Sequence, residues 1–231
     1  MKLIALARLL QLSSQALPVG GYSHSLGLES AIDHELVRDE VSVLRWISDV
    51  LEFSLKSFEI PCMLSMAGAW TRVDPAAISS LNDEFLATRE SAELRAAAVQ
   101  MGFSLRALLC VLPDFPAGAV ETLRSIREPS LPCVWSAAMA AWEIERREAV
   151  VGYLWTWAEN QVLVAMKIVP IGQTAGQRIL LRIGLKISEI AEQMIYPGGA
   201  CEFGEHSSNF SPGLAILSSQ HETQYSRLFR S

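Results

Sequence analysis

The sequence predicts an all-α fold: a single helical-bundle domain of about eight to ten helices with a flexible C-terminal arm. Three observations predict it. Residues 163–185, LVAMKIVPIGQTAGQRILLRIGL, read as the end of one apolar helix, a stop at Pro170-Ile171-Gly172, and the start of a second helix. Pro170 disfavours helical backbone at Val169 and lacks an amide donor, and Gly172 permits the turn that follows. Residues 76–112 are rich in Ala, Leu, Glu and Arg, all strong helix formers. No run alternates apolar and polar residues with a period of two, and there is no internal repeat. The elbow at 170–172 also gathers Lys167, Gln173, Gln177 and Arg178 at one place, beside a helix start whose first amides lack partners.

The elements follow in order. Leu3, Leu6, Leu9 and Leu10 make a helical stripe at the start. Leu17-Pro18-Val19-Gly20-Gly21-Tyr22-Ser23 is a turn-rich break in which Pro18, Gly20 and Gly21 read as a structural loop. Residues 27–33 form a short helix, and Asp39 caps a long one whose Val43, Ile47, Val50 and Leu55 share a face. Pro61 kinks or restarts it. Asp74-Pro75 opens the next, a cap followed by proline at the first helical position. Within 76–112, Arg89, Glu93 and Arg95 are placed on the solvated side, and Pro113 and Pro116 end the run. A short helix over 117–127, a linker at 128–132, and helices over 133–146, 148–169 and 174–195 complete a domain spanning 1–195. In the last helix Ile179, Ile183, Ile187, Ile190 and Met194 oppose Arg178, Arg182, Lys186 and Glu189. Residues 196–231 form the arm, rich in Gly, Ser and Pro up to 212 and ending in HETQYSRLFRS.

Composition narrows the class. The 231 residues are 50% hydrophobic and mean hydropathy is +0.25, high for a monomer in water. Such a chain is either bound to a membrane or buries extra surface against partners. Residues 150–168 are the best candidate span, but they carry Glu159, Asn160 and Lys167, whereas a span needs about 20 mostly uncharged apolar residues. No membrane role is expected. Arg8 interrupts what would otherwise resemble a secretory leader, and the segment reads as an amphipathic first helix. A net charge of −6 gives no electrostatic basis for nucleic-acid binding. The four cysteines (Cys62, Cys110, Cys133, Cys201) lie far apart and read as reduced thiols of a cytoplasmic protein.

No catalytic machine is visible. The glycines near residue 20 lack the Gly-Lys-Ser/Thr of a phosphate loop, and no Ser lies in Gly-x-Ser-x-Gly. The histidines (His24, His34, His206, His221) show no pairing at metal-site spacing. His24, His206 and Cys201 remain candidates for a transient metal contact, and no stably bound cofactor is expected. Tyr153, Trp155 and Trp157 surround one helix, which reads as a buried central helix, with a ligand pocket as the alternative. In the tail, Tyr225, Leu228 and Phe229 fall on one helical face beside Arg227 and Arg230. A helix that short is marginal in water, so these groups either fold back on the core or dock on another protein.

Three stretches resemble the UreF family of urease accessory proteins. They are Leu9-Leu10-Gln11-Leu12-Ser13 through the first loop to Gly27-Leu28-Glu29, then Val169-Pro170-Ile171-Gly172-Gln173-Thr174-Ala175-Gly176-Gln177, and the terminal HETQYSRLFRS. Leu81-Asn82-Asp83 and Ala87-Thr88-Arg89-Glu90 fit less distinctively. The resemblance implies an all-α homodimer without enzymatic activity. It implies an adaptor between UreD (also called UreH) and the GTPase UreG, serving GTP-dependent nickel delivery to apo-urease, with nickel handled by the complex. Tyr225, Arg227, Leu228, Phe229 and Arg230 match the tail motif and are expected on the UreD/UreH side. Lys167, Gly172, Gln173 and Gln177 match the elbow motif and are expected on the UreG side. Cys201, Glu205 and His206 belong to no motif of the family. The competing readings are a carrier with a pocket near Trp155 and a metallochaperone using His206 or Cys201.

Overall fold

The computed structural model describes residues 1–195, 203–204 and 207–230, so Cys201, Glu205 and His206 lie outside the described residues. All regular structure among them is helical. The segments are α1 (Leu3–Leu12), a 3₁₀ turn (Gly21–Ser23), α2 (Leu28–Asp33), α3 (Glu40–Val50), a π-helical stretch (Leu51–Glu59), α4 (Ile60–Thr71), α5 (Pro75–Ala87), α6 (Ala92–Leu109), α7 (Ala117–Ser125), α8 (Leu131–Ala141), α9 (Arg146–Ile168), α10 (Gln173–Ile195) and α11 (Pro212–His221). Because α3 runs through the π-helical stretch into α4, the eleven α-helices make ten rods among the described residues.

Local chemistry sets most of the boundaries. Asp39 accepts from the Ser42 amide at 2.8 Å while Ser42 Oγ accepts from the Asp39 amide at 3.0 Å, a reciprocal cap that starts α3. Asp74 accepts from the Ala77 amide at 3.0 Å with Pro75 in the first turn of α5. The elbow stands where the sequence puts it, α9 ending at Ile168 and α10 beginning at Gln173.

One expectation changes. The helix read over 76–112 is broken at 88–91. Ser91 has extended backbone, and its hydroxyl accepts from the Leu94 amide at 3.1 Å, restarting the chain as α6. The break turns Arg89 inward, correcting its assignment to the solvated side. Its guanidinium lies 4.2 Å from the Phe85 ring centre and 3.3 Å from a Glu59 oxygen, with only 9% of the side chain exposed. Pro61 restarts the α-winding as expected: it stands in the first turn of α4, just beyond nine residues wound as a π-helix, where the Ile60 amide reaches back to the Leu55 carbonyl. Proline cannot donate to the carbonyl four residues before it. That carbonyl, on Ser57, instead accepts from the Ser208 amide at 3.1 Å. Ser211 Oγ donates to the Phe53 carbonyl at 3.2 Å, and Asn209 Nδ2 to the Thr88 carbonyl at 3.0 Å. The widened helix is therefore where the end of the chain is stitched on.

Helix α9 is the hub, packed against α1, α2, α3 and α10. A second group, α4 with α5 and α8, and α8 with α6, completes the core. Tyr153 of α9 is buried and meets the Trp135 ring edge-on at 5.2 Å, while Trp155 and Trp157 are half-buried against the core. At Gly102 a β-carbon would fall 2.0 Å from the Pro129 carbonyl oxygen, so α6 admits the 128–130 linker only because no side chain is there. Asn82 clamps that linker, donating to the Glu128 carbonyl at 2.9 Å and accepting from the Ser130 amide at 2.8 Å. Within the expected arm, α11 lies on α2 and α6. Among the described residues, no helix is long and apolar enough to cross a membrane.

Candidate partner-binding site

The three stretches singled out in the sequence meet at one place. The first loop turns at Gly20, whose φ of +75° favours glycine, and the Ser23 hydroxyl donates to the Gly20 carbonyl at 2.6 Å. Two buried side chains of α9 then fix the chain beyond it. Asn160 Nδ2 donates to the His24 carbonyl at 3.0 Å and Gln161 Nε2 to the Ser25 carbonyl at 3.1 Å. Pro18 and Tyr22 are exposed, and Gly20 and Gly21 are half-buried. The His24 side chain lies inside, where burial pushes its imidazole down to about 4, assisted by the positive charge of Arg230.

The tail is not helical after His221, so Tyr225, Leu228 and Phe229 do not share a face. Phe229 is buried, whereas Tyr225 and Leu228 project fully and by 73% into solvent. Three acidic side chains hold this course. Glu29 of α2 accepts from the Leu228 amide at 2.7 Å, the Phe229 amide at 3.0 Å and His221 Nε2 at 3.0 Å. Glu93 of α6 accepts from His221 Nδ1 and from Arg227, both at 2.7 Å. Glu222 accepts from the Ala92 amide at 2.8 Å and so satisfies a free donor at the start of α6. The His221 ring thus bridges Glu29 and Glu93, one nitrogen to each, and Arg227 adds a positive charge beside Glu93. The Arg230 amide donates to the Ser23 carbonyl at 2.8 Å, joining tail to first loop. Lys167, in the last turn of α9, sets its ammonium 5.2 Å from the Phe229 ring centre, joining tail to elbow.

Of the expected tail residues, Arg227, Phe229 and Arg230 are tied down, and Tyr225 and Leu228 are presented outward. Of the elbow residues, Lys167 meets the tail, while Gly172, Gln173 and Gln177 are exposed around the turn. The organising residues Glu29 and His221 lie inside the stretches that resemble the family, but the sequence alone assigned neither a role, and Glu93 lies outside them. Glu93 had been placed among solvated charges, and His221 among scattered histidines. Glu29 and Glu93 take opposite nitrogens of one ring and so diverge. Among the described residues no group of three or more His, Cys, Asp or Glu side chains could hold a metal ion.

The comparisons with known proteins decide the family. The UreF family model matches residues 37–184. The chain belongs to the UreF family. It is 49% identical over 231 residues to the urease accessory protein UreF of Azoarcus sp. (strain BH72), covering 99% of this chain and 97% of that protein. It is 50% identical over 230 residues to the protein of the same name from Dechloromonas aromatica (strain RCB), covering 99% and 98%. The counterpart from Janthinobacterium sp. (strain Marseille) is 44% identical over 230 residues, covering 98% of each. In this UreF-family chain, the stretches beyond the matched segment, the first loop and the tail, are those that the structure ties together.

Proposed function

We propose that this chain is a urease accessory protein that works without catalysis, as an adaptor between UreD/UreH and UreG in GTP-dependent nickel delivery to apo-urease. The observation that carries the reading is the tail. Backbone hydrogen bonds to Glu29 and Ser23 fix its course, yet Tyr225 and Leu228 are left exposed. A segment anchored through its backbone and showing large apolar side chains is pre-organised for docking, with less ordering entropy left to lose on binding. Tyr225, Leu228 and Arg227 face UreD/UreH, Phe229 and Arg230 hold the tail in register, and the elbow residues Lys167, Gly172, Gln173 and Gln177 face UreG. Nickel is the cargo of the complex, and this chain keeps no cofactor of its own. The adaptor acts in the cytoplasm as a homodimer; the exposed Leu181 and Leu185, one turn apart on α10, support a further protein contact. For the scaffold to couple to GTP, it must bind one nucleotide state of UreG more tightly than the other.

Co-purification tests this. The full-length chain, a truncation after Gln220 and the double variant Tyr225→Ala/Leu228→Ala are each mixed with UreD/UreH and UreG. The full-length chain captures both partners, and both altered chains lose UreD/UreH. Equal capture by the double variant refutes the tail assignment. Capture of neither partner by the full-length chain refutes the adaptor reading.

A further inference from the structure

A cavity of about 120 Å³ lies between α9, the π-helical stretch, the break at 88–91 and the first loop. A water needs about 10–15 Å³ on the same measure, so there is room for several, but each needs about two to four polar partners. Leu12, Leu17, Leu55, Phe85, Leu94 and Ala98 stand in the wall and offer none from their side chains. The exposed Gln15 and Tyr22 also line the space, so it reaches the surface beside the first loop.

The polar side chains of the wall are spent on the protein itself. Tyr153 donates to one oxygen of Glu59, and Arg89 Nη1 donates to the other at 3.3 Å. Asn209 donates to the Thr88 carbonyl at 3.0 Å and accepts from the Ser54 hydroxyl at 3.2 Å. Asn160 Nδ2 donates to the His24 carbonyl at 3.0 Å. The polar atoms left over, Arg89 Nε and Nη2 and Asn160 Oδ1, have almost no accessible surface and so do not face the space. What the interior presents is mainly hydrocarbon and aromatic carbon. Such a space suits an apolar guest better than water: a cavity of about 150 Å³ lined by Leu, Ile and Phe stays dry and takes up benzene.

The charges in the wall narrow the guest further. Glu59 and Arg89 already neutralise each other, so a charged molecule drawn inside would find no counter-charge left for it. Glu90 also lines the cavity but is exposed to solvent, where an ion pair contributes little. The rings of Phe85, Trp135 and Trp157 in the lining add surface on which a flat ring packs well. We propose that this cavity is a binding site for a small uncharged apolar molecule about the size of one aromatic ring, entering beside the first loop. The site is additional to the adaptor role and does not depend on it.

Titration calorimetry on the full chain tests this with three probes that share a ring: toluene, benzoate and benzylammonium. Toluene gives saturable one-to-one binding, at least tenfold tighter than either charged probe. Ala98→Met adds a flexible apolar side chain to the wall and leaves the polar groups intact; it weakens toluene binding at least tenfold while the circular dichroism stays unchanged. Should that variant misfold, contacts between toluene protons and the Met101 methyl, read by nuclear Overhauser effects on the unaltered chain, make the same assignment. Uptake that rises linearly with toluene and never saturates overturns the proposal. So do equal affinities for the three probes, binding undiminished in a folded Ala98→Met chain, and the absence of those contacts.

Discussion

Replacing Glu29 with Gln isolates what holds the tail. The Glu29 carboxylate accepts three hydrogen bonds, from the amides of Leu228 and Phe229 and from His221 Nε2, at 2.7, 3.0 and 3.0 Å. Gln nearly matches its shape; with its one oxygen where Phe229 and His221 are served, its NH₂ meets the Leu228 amide. Hydrogen bonds to charged groups contribute about 1.5–3 kcal/mol each, so losing that one costs about 1.5–3 kcal/mol. Burial of Phe229 opposes release by about 2–3 kcal/mol and is unchanged by the substitution. Local opening of the tail therefore becomes easier by about 2 kcal/mol, roughly thirtyfold in its equilibrium constant. The assay is amide hydrogen exchange at Leu228 and Phe229, with tryptic cleavage after Arg227 as a second readout. Exchange at both amides rises about thirtyfold, while amides in α9 keep their protection. A rise below about threefold would show that side-chain packing, rather than this carboxylate, fixes the tail.

Further predictions concern the fold. His24 holds its proton only below about 4 when folded and near 6.5 when unfolded. The unfolded chain therefore binds the extra proton between these values, and acidification across that window removes at most about 3 kcal/mol of stability. Urea midpoints from pH 7 to 4 show this loss, and His24→Gln flattens it. Gly102→Ala drives a β-carbon into the Pro129 carbonyl and the Ser130 backbone, which cannot swing aside. It costs about 3 kcal/mol, seen as a melting temperature lower by about 10 °C. Burial pushes the Cys133 thiol up to about 12 and raises that of Cys62 as well, so both resist alkylation at pH 8 while the partly exposed Cys110 reacts. Peptide mapping after iodoacetamide treatment checks this, and labelling of Cys62 in the folded chain would contradict it.

Several parts of this molecule are legible one turn at a time. Asp39, Asp74-Pro75 and Pro170-Ile171-Gly172 act on amides within a few residues of themselves, so the helix ends they predict stand in the structure. Arg89 was misread for the opposite reason. A charged residue in a helix-forming run reads as solvated until the chain breaks at 88–91 and turns it onto Phe85 and Glu59. Pro61 restarts the α-winding as its sequence position indicates, but the amide that takes up the carbonyl it leaves free, that of Ser208, is distant in the chain.

The sequence by itself determined an all-helical chain, the place of its elbow, and the three stretches that mark its family. Each of those signals is local, set by hydrophobic periodicity, caps and backbone-restricting residues. Only the tertiary structure decided that the three stretches form one surface. Glu29 and His221 are 192 residues apart, and Glu93 and His221 are 128 apart. Nothing in local propensity relates such positions. Their pairing follows from packing α11 on α2 and α6, which removes the carboxylates from water and leaves the imidazole and the tail amides as their partners.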